Sequence, residues 1–188
     1  MCRSGYYQLR QLRPLVRSMS SDAVKTLVQA FISCRLDYCN SIFYGITNDL
    51  MSRCGIIGPP PSNVSPRRIC TGTDPPDHIT PVLQELHWLP VRRRVDFTMA
   101  TLVYLSLSGM APPYLAADCQ LVSDKDRRQL RSANSRTCVV RRTCSSCGDR
   151  CFAAAGPRLW NSLPAHLRQT DINFEQFKRQ LKTFLFGS

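Results

Sequence analysis

The sequence predicts a mostly α-helical protein. It should consist of several short helices separated by proline-rich turns, with room for one short strand or hairpin and with one disordered linker. Apolar residues recur at helical spacing in several stretches, and 13 prolines are spread over the 188 residues. Because proline breaks a helix interior, its frequency limits helix length. We therefore expect a helical segment at 1–53, a proline-rich linker at 54–78 and a helical C-terminal domain at 79–188.

The first part contains the clearest helix of the sequence. Ser20 or Ser21 supplies an N-cap, and Asp22 places a negative charge in the first turn, where it suits the helix dipole. Gly45 can end the helix. The apolar stripe between these ends consists of Val24, Leu27, Val28, Phe31, Ile32 and Leu36.

The second part, at 54–78, has no periodic pattern. It contains three consecutive prolines, Pro59, Pro60 and Pro61, which cannot lie inside a helix. This composition is typical of a linker or an extended segment.

The third part begins with a corner at 81–90. Pro81 can begin one helix there. Pro90 ends that helix and can begin a second one, because the residue before a proline avoids the α region. Trp88 and Leu89 are expected to be buried at this corner.

The second helix should end near Gly109. Its apolar stripe consists of Val91, Val95, Met99, Leu102 and Val103. Arg92, Arg93 and Arg94 fall mostly off that stripe, so we expect all three guanidinium groups to point to solvent.

Shorter elements follow. We expect a turn at 110–115, a short helix at 114–119, an exposed loop or frayed helix at 121–135 and a short strand or extended arm at 136–142. The apolar segment 152–164 should pack on the final helix.

The final helix has a capping box, because Asn173 is followed three residues later by Gln176. Its cationic residues Lys178, Arg179 and Lys182 should lie on the outside. Its inward face should consist of Phe174, Phe177, Leu181, Phe184 and Leu185.

The chain is strongly basic, with a formal net charge of +12 from 25 Lys and Arg against 13 Asp and Glu. Such a balance indicates a polyanionic partner, either the backbone of RNA or DNA or another anionic surface. The alternative is a set of solvated faces that point in different directions. The candidate nucleic-acid-binding residues are Arg92, Arg93, Arg94, Arg127, Arg128, Arg131, Arg136, Arg141 and Arg142.

The ten cysteines do not predict a disulfide scaffold. No apolar region follows the N-terminal charge, as a signal peptide would require, and no stretch approaches the roughly 20 apolar residues that span a bilayer. We expect an intracellular protein, nuclear or cytoplasmic, that does not associate with a membrane and binds no cofactor. Cys138, Cys144, Cys147 and Cys151 are weak metal candidates only, because their spacing is too tight for a zinc ribbon and no histidine is near them.

No catalytic motif is present in the sequence. Divalent-metal phosphoryl transfer needs paired carboxylates, and the sequence contains no Asp-Asp pair, no glycine-rich phosphate loop and no hydrolase motif. His87 and Glu85 lie two residues apart, so on a helix they would not face each other. We expect no enzymatic activity from this chain.

An ordered set of motifs gives the chain a resemblance to a known family. The set comprises Phe31-Ile32-Ser33-Cys34-Arg35-Leu36-Asp37-Tyr38-Cys39-Asn40-Ser41, Leu86-His87-Trp88-Leu89-Pro90-Val91, Leu102-Val103-Tyr104, Gly109-Met110-Ala111-Pro112-Pro113-Tyr114-Leu115, Gly156-Pro157-Arg158-Leu159-Trp160-Asn161-Ser162-Leu163-Pro164, Phe174 with Phe177-Lys178, and Leu181-Lys182-Thr183-Phe184-Leu185-Phe186. In this order they resemble the C-terminal tail of the polyprotein of a jockey-like non-LTR (LINE) retrotransposon, over residues 1–53 and 77–186. The resemblance implies that 1–53 is a helical, thumb-like segment that follows the polymerase palm. That family usually continues with an Ala-rich helix, which the prolines at 54–76 exclude, so we interpret the residues from about Cys54 to Pro76 as the product of a reading frame that slipped and then recovered.

The resemblance implies a parent protein that carries out target-primed reverse transcription in the nucleus, with magnesium in a polymerase palm upstream. This chain lacks that palm. We therefore expect a catalytically inactive C-terminal fragment of an RNA-directed DNA polymerase, a reverse transcriptase, that binds RNA or DNA with low specificity. The alternatives are a small helical protein-interaction module and a translated transposon relic without function.

Overall fold

The computed structural model confirms a mostly α-helical fold, and helices are the regular secondary structure of the residues it describes. The chain divides into two compact units, Met1–Val91 and Arg92–Ser188. The predicted linker at 54–78 lies outside the described residues, as does the predicted helix start at Pro81. The described residues are 7, 11, 14, 18–31, 34, 37, 40–47, 49–50, 87–124, 136–169 and 171–187.

The first unit contains helix α1, Ser21–Phe31. The predicted cap is confirmed, and it is Ser20. Its side-chain Oγ accepts a hydrogen bond from Ala23 N at 3.4 Å, and its carbonyl accepts one from Val24 N at 3.0 Å. Val24 and Val28, on the predicted stripe, are both buried. A 3₁₀ helix follows at Asn40–Phe43.

Gly45 comes shortly after this 3₁₀ helix. It has a φ of 68°, in the left-handed region that glycine adopts without strain.

The corner before Pro90 differs from its prediction. His87 has a φ of 52° and lies in a turn, and Trp88 to Pro90 are not helical. Residues 87–90 therefore lie outside any helix, whereas the prediction carried the first helix up to Pro90. Leu89 is buried, as predicted, but Trp88 is only half-buried.

The longest helix, α2, is Val91–Leu107. It begins directly after Pro90, as predicted, and Val95, Met99 and Val103 of its predicted stripe are buried. Its end is also confirmed. Gly109 has a φ of 70°, and the Met110 N–H donates to the Leu105 carbonyl at 3.0 Å, the closure of a Schellman motif.

The arginines at the start of α2 are only partly as predicted. Arg92 is exposed, but Arg93 and Arg94 are half-buried. Arg93 Nη1 lies 3.8 Å from Asp96 Oδ2. The expectation of solvent-directed guanidinium groups is wrong for Arg94, because its Nε is buried. The Arg93 side chain is 37% exposed and still reaches solvent beside Asp96.

The second unit is built around α2, helix α4 (Phe152–Ser162) and helix α5 (Phe174–Gly187); the short helix α3, Pro113–Ala116, lies between α2 and α4 along the chain. Trp160 and Phe177 are fully buried, with ring centroids 5.8 Å apart. This contact confirms the predicted packing of 152–164 on the final helix. The Tyr104 ring stacks on Phe177 at 4.4 Å.

The start of α5 confirms the capping box. Gln176 N donates to Asn173 Oδ1 at 2.8 Å, and Asn173 N donates to Gln176 Oε1 at 3.4 Å. On the predicted inward face, Phe177, Leu181 and Leu185 are buried. Phe174 and Phe184 are half-buried.

The segment 136–142 is an extended arm, the second of the two predicted alternatives. A single antiparallel bridge joins Cys138 to Leu121, and Val139 N donates to the Gln120 carbonyl at 2.8 Å. A 3₁₀ helix at Val122–Asp124 follows the bridge. Within the described parts of the chain, no helix is long and apolar enough to cross a membrane.

Candidate nucleic-acid interface

Two candidate arginines of the extended arm hold the fold together. Arg136 Nη2 donates to the Leu107 carbonyl at 3.1 Å, which places a cation at the C-terminal end of α2, where the helix dipole favours it. Arg141 Nη2 donates to the Ala117 carbonyl at 3.2 Å, and its Nη1 lies 3.5 Å from Asp118 Oδ1. The two guanidinium groups bind different parts of the domain, Arg136 the end of α2 and Arg141 the residues that follow α3.

Arg142 differs from its neighbour Arg141. It is exposed, and its side chain makes no hydrogen bond or ion pair with any residue that the structure describes. Arg92, on α2, is exposed as well. The candidates Arg127, Arg128 and Arg131 lie outside the described residues.

The arm that carries Arg142 is held near its start, at Arg136 and Cys138. Cys138 N donates to Asn161 Oδ1, and Asn161 Nδ2 donates to the Cys138 carbonyl, both at 2.8 Å. Trp160 Nε1 donates to the Arg136 carbonyl at 2.7 Å. One edge of α4 therefore fixes the arm at two points.

These contacts assign structural roles to the motif that starts at Gly156. A Cβ at Gly156 would lie 3.0 Å from Val103 Cγ2, so glycine allows α4 to approach α2. Trp160 and Asn161 hold the arm, and Leu163 is buried. The motif thus serves the packing of the second unit.

Three arginines outside the predicted clusters also make contacts within the second unit. Arg158 Nη2 lies 3.2 Å from Asp149 Oδ1. A hydrogen bond from Thr143 and, second, this contact with Arg158 lower the pKa of Asp149. Arg168 Nε donates to the Leu163 carbonyl at 3.0 Å, and Arg150 Nη2 donates to Cys147 Sγ at 3.4 Å. They are isolated in the sequence, so a search for arginine runs misses them.

The four weak metal candidates are not brought together. Cys138 is buried, whereas Cys144, Cys147 and Cys151 are exposed. Among the residues that the structure describes, no group of three or more His, Cys, Asp or Glu side chains could hold a metal ion. Burial raises the pKa of the Cys119 thiol to about 11 against the lowering effect of a hydrogen bond with Ser106, and the Asp118 charge adds a smaller increase.

A shallow groove of about 350 Å³ lies between α5 and the 3₁₀ helix Ala165–Arg168. The groove could not be predicted from the sequence, because its lining brings one residue of the 3₁₀ helix next to one side of α5, and these are separate in the chain. The lining residues are His166, Arg179, Gln180, Thr183 and Phe184.

The second unit is thus a small helical domain in which most described arginines bind carbonyls or carboxylates of the domain and a few remain exposed. No family model, curated protein or solved structure matches the chain.

Proposed function

We propose that this chain is a catalytically inactive C-terminal fragment of a retrotransposon RNA-directed DNA polymerase, and that it binds RNA or DNA backbones with low sequence specificity. The ordered motifs support the family, and the net charge of +12 supports a polyanionic partner. The observation that carries the binding proposal is Arg142, an exposed guanidinium on a fixed arm.

Arg142 differs from the other described arginines of the arm, whose guanidinium groups the fold already uses. Arg136 and Arg141 already donate to carbonyls at 3.1 and 3.2 Å, so a phosphate would have to compete with those contacts. Arg142 needs no such exchange. Because Asn161 fixes the arm at Cys138, a phosphate bound at Arg142 would order little additional backbone.

Phosphate contacts of this kind position a protein on nucleic acid without identifying bases. The proposal therefore assigns phosphate binding to Arg142 first. The other candidates of the arm contribute mainly to folding.

The proposal assigns no phosphoryl transfer to this chain. Four carboxylates of the second unit lie beside cations of the same unit, within 4.0 Å: they are Asp96, Asp118, Asp149 and Glu175. Metal-dependent transfer needs carboxylates that converge on the metal ions. The pairing supports the expectation that the chain does not polymerise.

The test is a fluorescence anisotropy titration of the full chain with labelled single-stranded RNAs of equal length and different sequence. We expect equal affinities that fall steeply between about 50 mM and about 200 mM salt, because counterions compete for the phosphates. Affinities that differ strongly between sequences, or an absence of binding at low salt, would overturn the proposal.

One observation favours the alternative of a protein-interaction module. Met110 and Tyr114 flank a Pro-Pro turn and are 57% and 70% exposed, and exposed apolar side chains of this size are common at protein interfaces. Binding through them would respond little to salt. The salt dependence therefore separates the two functions.

A further inference from the structure

The groove beside α5 combines an apolar floor with a cationic rim. Phe184 contributes a half-buried aromatic ring. His166 and Arg179 are exposed at its edges, and Gln180 adds an exposed amide. No carboxylate is among the lining residues.

The cation of the rim is available to a ligand. Arg179 makes no ion pair with the described residues, and the carboxylate one turn before it, Glu175, lies 2.7 Å from Lys178 Nζ. The Thr183 hydroxyl donates to the Arg179 carbonyl at 3.1 Å, so its proton is used inside the helix. A ligand in the groove would therefore meet a guanidinium, an amide and an aromatic face.

The rim is also held in place. Leu167, next to His166, is fully buried, and its N–H donates to the Pro164 carbonyl at 3.0 Å. On α5, Leu181 and Leu185 are buried on the side away from the groove. Neither wall needs to fold when a ligand arrives.

We infer that this groove holds one nucleotide of a single-stranded nucleic acid, with the base on Phe184 and the adjacent phosphate at Arg179. Proteins that bind single strands combine cations that follow the backbone with aromatic rings on which bases stack. The volume of about 350 Å³ is at the lower end for ligand sites, which suits a single nucleotide. This inference rests on the proposed function and adds a preference for single strands over duplexes, in which the bases are already stacked.

The experiment compares two variants on two ligands. Phe184→Leu keeps an apolar side chain in the groove but removes the ring, and the ligands are a single-stranded RNA and the same strand with abasic positions. We expect Phe184→Leu to weaken RNA binding about tenfold, within the range for one stacked base, and to leave binding of the abasic strand unchanged. A melting curve checks that the variant is folded.

A second variant keeps the test decisive if Phe184→Leu destabilises the domain. Arg179→Gln should weaken both strands several-fold and reduce the salt slope by about 0.7, the value for one phosphate contact on a single strand. Lys182→Gln is the control, because Lys182 lies on the same helix and does not line the groove.

The outcomes separate the two proposals. If the wild-type chain binds RNA with a salt dependence but Arg179→Gln and Phe184→Leu change nothing, the groove inference is wrong and the proposed function stands. The groove inference is also wrong if the chain binds duplex and single strand with equal affinity and if each variant weakens the two equally. A wild-type chain that binds no nucleic acid overturns both.

Discussion

The contact between Asn161 and Cys138 gives the most quantitative prediction about the fold. Asn161→Ala removes two hydrogen bonds of 2.8 Å, each of which contributes about 1 kcal/mol net. It also leaves the N–H and C=O of Cys138, a buried residue, without their side-chain partner, which adds a desolvation penalty of about 1 kcal/mol or more. We expect a loss of about 3 kcal/mol in the free energy of unfolding, a large part of the stability of a small domain.

The assay is urea unfolding followed by far-UV circular dichroism, with the midpoint expected to fall by about 1–2 M. Ser162→Ala is the control, because the exposed Ser162 hydroxyl donates only to the Leu159 carbonyl of its own helix, and its effect should stay within about 0.5 kcal/mol. Asn161→Asp should also destabilise, since a carboxylate cannot donate to the Cys138 carbonyl. A shift of the urea midpoint for Asn161→Ala no larger than that for Ser162→Ala would refute the stabilising role of the contact between Asn161 and Cys138.

Three further predictions follow from the second unit. Burial raises the pKa of Asp96, so its ionised form opposes folding; Asp96→Asn should raise the urea midpoint at neutral pH, and the gain should vanish below about pH 4, where the carboxyl is protonated in both states. Gly156→Ala places a methyl group 3.0 Å from Val103 and should lower the melting temperature, because overpacking costs about 1–3 kcal/mol and outweighs the better helix propensity; a higher melting temperature would contradict the close packing. Iodoacetamide at neutral pH should label Cys119 at least about a hundredfold more slowly than an ordinary exposed cysteine, because its pKa is about 11; peptide mapping that finds it modified as fast as the exposed Cys147 would contradict its burial.

The sequence predicted those features of the fold that depend on neighbouring residues. The Ser20 cap, the Asn173 capping box and the end of α2 at Gly109 were predicted from local patterns, and the structure confirms them. The apolar stripes were predicted for the same reason, because helical spacing alone identifies the buried face.

The sequence did not predict features that depend on distant residues. The hydrogen bond of Arg136 to Leu107 spans 29 positions and that of Arg168 to Thr137 spans 31, so composition cannot show which arginines the fold uses. The same limit applies to the groove, whose His166 and Arg179 become neighbours only through packing. The positive φ of His87 could not be predicted from its residue type, since glycine is the usual residue at such a position.

The central claim is that Arg142, whose side chain makes no hydrogen bond or ion pair with the described residues, binds phosphate, whereas Arg136 and Arg141 hold the domain together. The most direct test compares Arg142→Ala with Arg136→Ala, two residues of the same arm, by the salt dependence of single-stranded RNA affinity and by the urea midpoint. We predict that Arg142→Ala reduces the slope of log affinity against log salt by about 0.7 without moving the midpoint, and that Arg136→Ala lowers the midpoint, because the Leu107 carbonyl loses its donor. An unchanged slope in Arg142→Ala would contradict the account.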